Sequence, residues 1–95
     1  MTDQTQITLT APDTVDMALI VGQGDKLLHA VQDAFGARIT VRGNIIELSG
    51  DPLEVQSLTA LFSDMIKMVE NGDEPTDDYV THAVELLHTA EFAPR

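Results

Sequence analysis

Two stretches of alternating apolar and polar residues, 37–42 and 45–51, flank the dipeptide Gly43-Asn44 near the middle of the chain. Both residues of the dipeptide tolerate positive φ, so it suits a two-residue hairpin turn. Pairing outward from this turn places four apolar side chains on one face: Ile39, Val41, Ile46 and Leu48. The other face carries Arg38, Thr40, Arg42, Glu47 and Ser49, with Ile45 as its apolar exception. A slip of one residue would mix the faces, so pattern and turn predict a single register.

Helical spacing of apolar residues predicts two helices before the hairpin. The first helix is capped by Asp13 or Thr14 and runs to Val21, with its apolar side chains spaced to bury one face. The second helix is capped by Asp25 and runs to about Phe35. A glycine-bearing loop, Gly22-Gln23-Gly24, separates the two helices.

A strong helix-start signal follows the hairpin. Asp51 is predicted as the N-cap, Pro52 stands at the first helical position, and Glu54 completes a capping box. The long helix that begins here carries an apolar stripe and ends at Asn71-Gly72. Its stripe consists of Leu58, Leu61, Phe62, Met65 and Val69.

These elements define the fold class. Alternation at residues 7–11 predicts a first strand, and Thr76 or Asp77 caps a last helix whose inner stripe includes Val80 and Leu87. The order β-α-α-β-β-α plus a C-terminal helix predicts an α+β domain, in which helices cover one face of a three-stranded antiparallel sheet. The predicted divisions are a flexible N-terminus at 1–5, one domain at 6–90 and the start of a linker at 91–95.

Composition excludes several classes of protein. The chain has no cysteine, so it has neither a disulfide nor a thiol nucleophile, which agrees with a reducing cytoplasm. No apolar run approaches the ~20 residues of a membrane span, and the N-terminus has no signal-peptide pattern. Sixteen acidic against five basic residues give a net charge of −11, which opposes binding to nucleic acids and anionic membranes. We therefore expect a cytoplasmic protein with no membrane partner. An oligomer is possible, because the sequence does not determine the oligomeric state.

No residue pattern for catalysis or metal binding is present in the sequence. The chain has no P-loop and no nucleophile motif such as Gly-x-Ser-x-Gly. His82 and His88 are six positions apart, so they lie on different sides of a helix, and His29 has no partner at ligand spacing. We therefore predict no catalytic residue, no metal and no cofactor for this chain, and no binding of ATP by it.

The loop between the first two helices is the most informative stretch for function. A glycine-bearing loop that opens a helix can present backbone N–H groups to a phosphate. The element order with such a loop resembles the KH domain, which clamps a nucleic-acid backbone against a Gly-x-x-Gly loop. Here Asp25 stands where the second glycine belongs, and its carboxylate is expected to bond the N–H groups that a phosphate would need. This aspartate favours the interpretation of the loop as a capped helix start over that of a phosphate-binding loop.

Six residues are the candidate nucleic-acid contacts. They are the loop residues Gly22, Gln23 and Gly24, then Lys26 beside the loop, and Arg38 and Arg42 on the exposed hairpin face. These bases are few and the net charge is strongly negative, so we expect weak RNA binding or none.

The chain also resembles the N-terminal, KH-like domain of PhoH-family proteins, the phosphate-starvation-inducible predicted ATPases. Gly22, Asp25 and Leu28 match that family's Leu-x-Gly-x-x-Asp-x-Asn-Leu segment, in which Leu27 replaces the Asn. The further matching pieces are, in order, the turn Val41-Arg42-Gly43-Asn44, then Gly50-Asp51, the long helix and the final helix at 76–87. The resemblance covers about residues 7–88.

This resemblance implies a larger protein in which a P-loop ATPase domain follows the present chain. It implies an ATP-dependent activity linked to RNA, with ATP and magnesium bound by that absent domain. The leading hypothesis is an accessory domain of a PhoH-like ATPase, which contacts the ATPase domain of the same polypeptide and a nucleic acid or protein. The alternative is a free-standing protein-interaction domain with a KH-like fold that does not bind RNA. An enzyme in its own right is disfavoured by the missing catalytic patterns.

Overall fold

Three antiparallel strands form a sheet that helices cover on one face. The computed structural model describes residues 4–92 and the side chains of residues 4–87. The strands are β1 (Thr5–Thr10), β2 (Arg38–Arg42) and β3 (Ile45–Gly50), and the helices are α1 (Met17–Val21), α2 (Lys26–Ala34), α3 (Pro52–Glu70) and α4 (Asp77–Phe92). The predicted order of elements and the α+β class are therefore confirmed.

The β2–β3 hairpin has the predicted register. Val41 pairs with Ile46 and Ile39 pairs with Leu48, so the apolar side chains share one face. Gly43 takes the positive φ of +58° at the turn. Among the described non-glycine residues only Asp25 has a positive φ, so the second turn residue does not use the left-handed conformation that it tolerates.

Strand β3 lies in the middle of the sheet, in the order β1-β3-β2. The turn residue Asn44 holds the chain just beyond β1. Its side-chain nitrogen donates to the carbonyl oxygen of Ala11 at 2.7 Å, and the backbone N–H of Ala11 donates to the Asn44 carbonyl oxygen at 2.8 Å. The sequence predicts that all three strands join one sheet, but it does not predict this link.

The core lies between the sheet and the helices. Its buried members come from all four helices, from β2 and β3 and from the connecting segments, while Ile7 and Leu9 of β1 pack against it partly buried. The buried members are Ala11, Val15, Ile20, Leu27, Val31, Phe35, Ala37, Ile39, Ile46, Leu48, Val55, Leu58, Leu61, Phe62, Met65 and Val80. Among the side chains that the structure describes, no polar or charged one is buried. The core therefore depends on apolar packing without an internal polar network.

Helix α1 starts later than its sequence signals indicate. Neither Asp13 nor Thr14 caps it, because the backbone N–H of Val15 donates to the Pro12 carbonyl oxygen at 2.9 Å and closes a turn first. The cap is Asp16, whose carboxylate accepts from the N–H of Ala18 at 3.0 Å. The prediction was wrong because the turn buries Val15 before the helix begins.

Helix α3 begins as predicted, but only half of the capping box forms. The Asp51 carboxylate accepts from the backbone N–H groups of Leu53 and Glu54, at 3.0 Å and 3.3 Å. The Glu54 carboxylate instead accepts from the backbone N–H of Ala37, at 2.9 Å. The predicted reciprocal bond is therefore replaced by a long-range one, which satisfies a backbone donor at the start of β2.

Gln32 of α2 holds the outer edge of β2. Its side-chain nitrogen donates to the carbonyl oxygen of Ala37 at 2.7 Å, and its side-chain oxygen accepts from the N–H of Ile39 at 3.0 Å. One side chain thus bonds two backbone groups of an edge strand, in the way that a neighbouring strand would.

The last helix is capped by Thr76, whose hydroxyl oxygen accepts from the N–H of Tyr79 at 3.1 Å. It extends through Phe92, two residues into the predicted linker at 91–95. The predicted flexible N-terminus includes Thr5, which lies in β1. The remaining residues of these two predictions, 1–3 and 93–95, lie outside the described chain. Within residues 4–92, no helix combines the length and the apolar character that crossing a bilayer needs.

Candidate functional site

The glycine loop between α1 and α2 is a tight turn with a defined backbone. Residues Gln23–Asp25 form a short 3-10 turn in which the N–H of Asp25 donates to the Gly22 carbonyl oxygen at 3.1 Å. Gly24 and Asp25 both take left-handed conformations, with φ of 63° and 60°. The loop therefore changes chain direction within three residues and leads directly into α2.

Gly22 lets this loop approach the first turn of α2. A β-carbon at Gly22 would lie 2.7 Å from Cγ and 2.9 Å from the backbone nitrogen of Leu27. Leu27 is 4% exposed, so neither its side chain nor its backbone has room to retreat. On this side of the loop, α2 therefore already fills the space that a bound nucleic-acid backbone would need.

The predicted cap at Asp25 is wrong. Its carboxylate makes no hydrogen bond to the α2 amides, although Asp25 immediately precedes the helix and its side chain is exposed. An N-cap residue needs an extended backbone to bring its side chain back over the first turn, and the left-handed backbone of Asp25 does not allow this. The charge of Asp25 therefore faces solvent at the loop and does not cover the amides.

The substitution Asp25→Gly is expected to stabilise the chain by about 0.5–1 kcal/mol, because it relieves the left-handed strain of an L-residue without losing a cap bond. Urea unfolding of the two chains measures the difference. Asp25→Ala is the matched control and should destabilise, since alanine tolerates this conformation less well than aspartate. A loss of stability for Asp25→Gly, in place of the expected gain, would mean that the carboxylate acts as a cap after all.

An open cleft of about 760 Å³ lies beside the loop. One wall is the loop with the adjoining residues of α1 and α2, and the other is the connection between α3 and α4, residues 74–77. The loop therefore faces an acidic segment that carries Glu74 and Asp77. The acidic turn is visible in the sequence, but its position opposite the loop depends on how far α3 extends before the chain turns back.

Lys26 forms an ion pair with Asp77 across this cleft. The Lys26 ammonium lies 2.5 Å from a carboxylate oxygen of Asp77, and the hydrogen bond and charge of that carboxylate raise the pKa of Lys26. Both side chains stay largely exposed, so the pair adds little stability. Its consequence is electrostatic: the base beside the loop already has a carboxylate as neighbour.

The two arginines lie elsewhere, on the face of the sheet opposite the helices. Arg38 pairs with Ser49 across the hairpin, and Arg42 makes an ion pair of 3.2 Å with Glu47 of β3. The six candidate nucleic-acid contacts are thus divided, with the loop residues and Lys26 in the helical layer and the arginines on the exposed sheet face. The sequence does not reveal this separation, because it depends on which face of the sheet the helices cover.

The exposed face of the sheet has no aromatic platform. Its described side chains are Gln6, Thr8 and Thr10 of β1, Arg38, Thr40 and Arg42 of β2, and Ile45, Glu47 and Ser49 of β3. Sheets that bind single-stranded RNA stack bases on aromatic rings, and none is present here. Within the described residues, no group of His, Asp or Glu side chains could hold a metal ion.

Comparison with known proteins gives relatives over most of the chain. It is 32% identical over 68 residues to the PhoH-like proteins of Mycobacterium tuberculosis and Mycobacterium bovis, covering 72% of this chain and 19% of each relative. It is 30% identical over 80 residues to the PhoH-like protein of Mycobacterium leprae, covering 84% of this chain and 23% of the relative. The chain thus spans about a fifth of the length of these curated relatives. No family model matches it, and no solved structure matches it significantly.

Proposed function

We propose that this chain, which is homologous to one segment of the PhoH-like proteins, is an accessory domain of such a protein and has no catalytic activity of its own. The observation that carries the proposal is the size of the match: most of this chain corresponds to about a fifth of each relative. The described part of that segment has its own apolar core. These facts support a separately folded domain. Its place, N-terminal to a P-loop ATPase region that binds ATP and magnesium, is what the resemblance to the family implies.

We further propose that the domain acts by contact, and that the contact is with protein more than with RNA. Asp25, Glu74 and Asp77 surround the glycine loop, while Lys26 is held beside one of them. A phosphate backbone approaching this loop would meet carboxylates, and the chain carries a net charge of −11. The electrostatics of the loop therefore favour a protein surface, such as the ATPase region of the same polypeptide, over a polyanion.

The KH-like interpretation belongs to this proposal. The element order and the three-stranded antiparallel sheet support it, as does a glycine loop at the start of the second helix. In this interpretation the domain keeps the architecture of a nucleic-acid module while its loop has acquired acidic neighbours. Phosphate starvation as a physiological setting, and a cytoplasmic location, stay predictions of the sequence and its resemblance.

The alternative function is a free-standing protein-interaction domain. The acidic surroundings of the loop favour it as much as they favour the accessory domain, since both function through protein contact. Determining the coding sequence beyond Arg95 separates the two. An in-frame Gly-x-x-x-x-Gly-Lys-[Ser/Thr] motif supports the accessory domain, and a stop codon directly after Arg95 removes it.

RNA binding by the isolated chain is expected to be weak, with dissociation constants above about 10 μM at physiological salt. Fluorescence anisotropy with short single-stranded RNAs of several sequences, at two salt concentrations, measures it. Asp25→Gly should strengthen any binding at the loop by removing a carboxylate there. Arg42→Ala should change the RNA affinity little if RNA contacts the loop alone, because Arg42 lies on the face of the sheet opposite the helices and the loop.

Sub-micromolar, sequence-selective binding by the unmodified chain at physiological salt would contradict the protein-contact proposal. It would place this chain with ordinary RNA-binding KH domains. Binding that disappears at the higher salt concentration, equally for all sequences, would agree with a few non-selective phosphate contacts.

A further inference from the structure

An apolar groove of about 260 Å³ lies between α3 and α4. Its lining residues are Ala60, Leu61 and Asp64 of α3 and Tyr79, His82, Ala83, Leu86 and Leu87 of α4. Leu61 is buried and forms part of the floor, whereas Leu86 is 57% exposed at the edge. The two helices therefore leave an apolar depression between them, with a leucine that their own packing does not cover.

Leu86 differs from the other exposed apolar side chains. Ile45 and Leu53 are the other large hydrophobic residues that are exposed among those described, and neither lines this groove. Single exposed apolar residues are common on protein surfaces and need no explanation. An exposed leucine that continues an apolar groove is different, because it enlarges a surface that can receive apolar side chains.

The surroundings of this groove are acidic. Asp64 lines the groove from α3, and Tyr79 lies on the opposite wall. The pKa of Tyr79 is raised, chiefly because its side chain is partly buried and also because of the charge of Asp64. Asp78 and Glu85 are exposed on α4, one turn to either side of His82. Lys67 is the single Lys or Arg residue in the sequence of the two helices, 52–70 and 77–92. A partner of positive charge is therefore favoured beside the apolar contact.

Three kinds of occupant can be compared on this basis. A second copy of the chain would bring another net charge of −11 against the same acidic surface. A nucleic acid is a polyanion and has no aliphatic side chains to fill the groove. An amphipathic helix with leucine-like side chains on one face satisfies the apolar groove, and lysine or arginine beside that face satisfies its rim.

We propose that the groove between α3 and α4 docks an amphipathic helix of a protein partner, with large aliphatic side chains on its contact face and basic residues next to them. This inference rests on the proposed contact function and specifies the chemistry of the partner. It uses a surface separate from the glycine loop, whose cleft is lined by other residues. Leu86 supplies the apolar contact at the edge, and Asp64 supplies a charge for the partner's basic residue.

The test uses synthetic helical peptides of about 16 residues, roughly four helical turns, because shorter peptides are marginal helices in water. One peptide places leucines on one face of the helix, at i, i+3, i+4 and i+7, and lysines beside that face. In a second peptide serine replaces the leucines, and in a third glutamate replaces the lysines. Anisotropy of labelled peptide at physiological salt measures the affinity. Tyr79 is the single tyrosine of a chain without tryptophan, so its fluorescence reports on the groove directly.

The leucine–lysine peptide should bind and change the Tyr79 fluorescence. Leu86→Ser should weaken this binding about tenfold, and Asp64→Asn should weaken it severalfold. Leu53→Ser is the matched control, because Leu53 is 58% exposed on α3 but lies outside the groove. It should leave the affinity unchanged, and equal thermal midpoints of the three variants should show that they are folded.

Each other outcome overturns the proposal. Equal binding of the serine–lysine peptide, with no effect of Leu86→Ser, would mean that only the net charge attracts the peptides. Equal binding of the leucine–glutamate peptide would remove the basic character of the partner. A dimer in sedimentation equilibrium that Leu86→Ser dissociates would make the groove a contact between copies. Failure of every peptide to bind would remove the groove as a site, while the coding sequence beyond Arg95 would still decide the accessory-domain proposal independently.

Discussion

Replacing Phe62 by alanine is expected to lower the free energy of unfolding by about 3–5 kcal/mol. Phe62 is fully buried and belongs to the core cluster between the sheet and α3. Its removal takes away the transfer free energy of a large aromatic side chain and leaves a cavity that the well-packed surroundings cannot fill. Urea unfolding monitored by far-UV circular dichroism measures the change as a lower midpoint.

Leu53→Ala is the matched control for this substitution, since Leu53 lies on the same helix but is 58% exposed. Its effect should stay within about 0.5 kcal/mol, as for surface substitutions in general. Both substitutions put alanine into α3, so helix propensity cannot produce the difference. Similar losses for Phe62→Ala and Leu53→Ala would show that α3 is not packed on the sheet by the face described.

The second large effect is expected at Gly50, at the end of β3. Gly50 has a φ of +146°, and a β-carbon there would lie 2.9 Å from Cα and 3.0 Å from Cβ of Ala37. Ala37 is buried and its backbone is held by Gln32 and Glu54, so it cannot move aside cheaply. Gly50→Ala should therefore destabilise by about 2–5 kcal/mol, from backbone strain and overpacking together.

The control for Gly50 is Gly43→Ala in the hairpin turn. Gly43 also has a positive φ, of +58°, but a β-carbon there would have no atom within 4 Å. Its substitution should cost only the strain of the left-handed conformation, about 1 kcal/mol. The excess at Gly50 therefore measures the close approach to Ala37 together with the greater backbone strain at a φ of +146°. Thermal unfolding of both variants gives the comparison, and equal losses would contradict the tight contact between β3 and the start of β2.

The elements that could be predicted are those specified by neighbours in sequence. The hairpin register follows from a period of two on both sides of one turn, and α3 follows from an N-cap, a proline and an apolar stripe within a few residues of each other. Phe62 was predicted in that stripe for the same reason. Each of these signals lies within one helix or one hairpin, so a single sequence contains them completely.

The errors arose where a polar side chain had a choice of partner. Asp25 stands at a cap position in the sequence, but the two left-handed residues of the loop turn it away from the helix. Glu54 stands at the third position of a capping box, but the N–H of Ala37 lies within its reach once β2 packs beside α3. In both cases the local backbone geometry or a tertiary contact, and not the motif, decided which partner the carboxylate has.

For this protein, residue order alone determines the α+β class, the helix and strand types, the hairpin register and the apolar stripe around Phe62, because each depends on periodicity and on contacts between near neighbours. The tertiary structure decided which face of the sheet the helices cover, and so separated Arg38 and Arg42 from the glycine loop. It also set the acidic segment at 74–77 opposite that loop and left the groove between α3 and α4 open. These features join residues far apart in the chain, and their positions follow from the packing of whole elements, which no local pattern encodes.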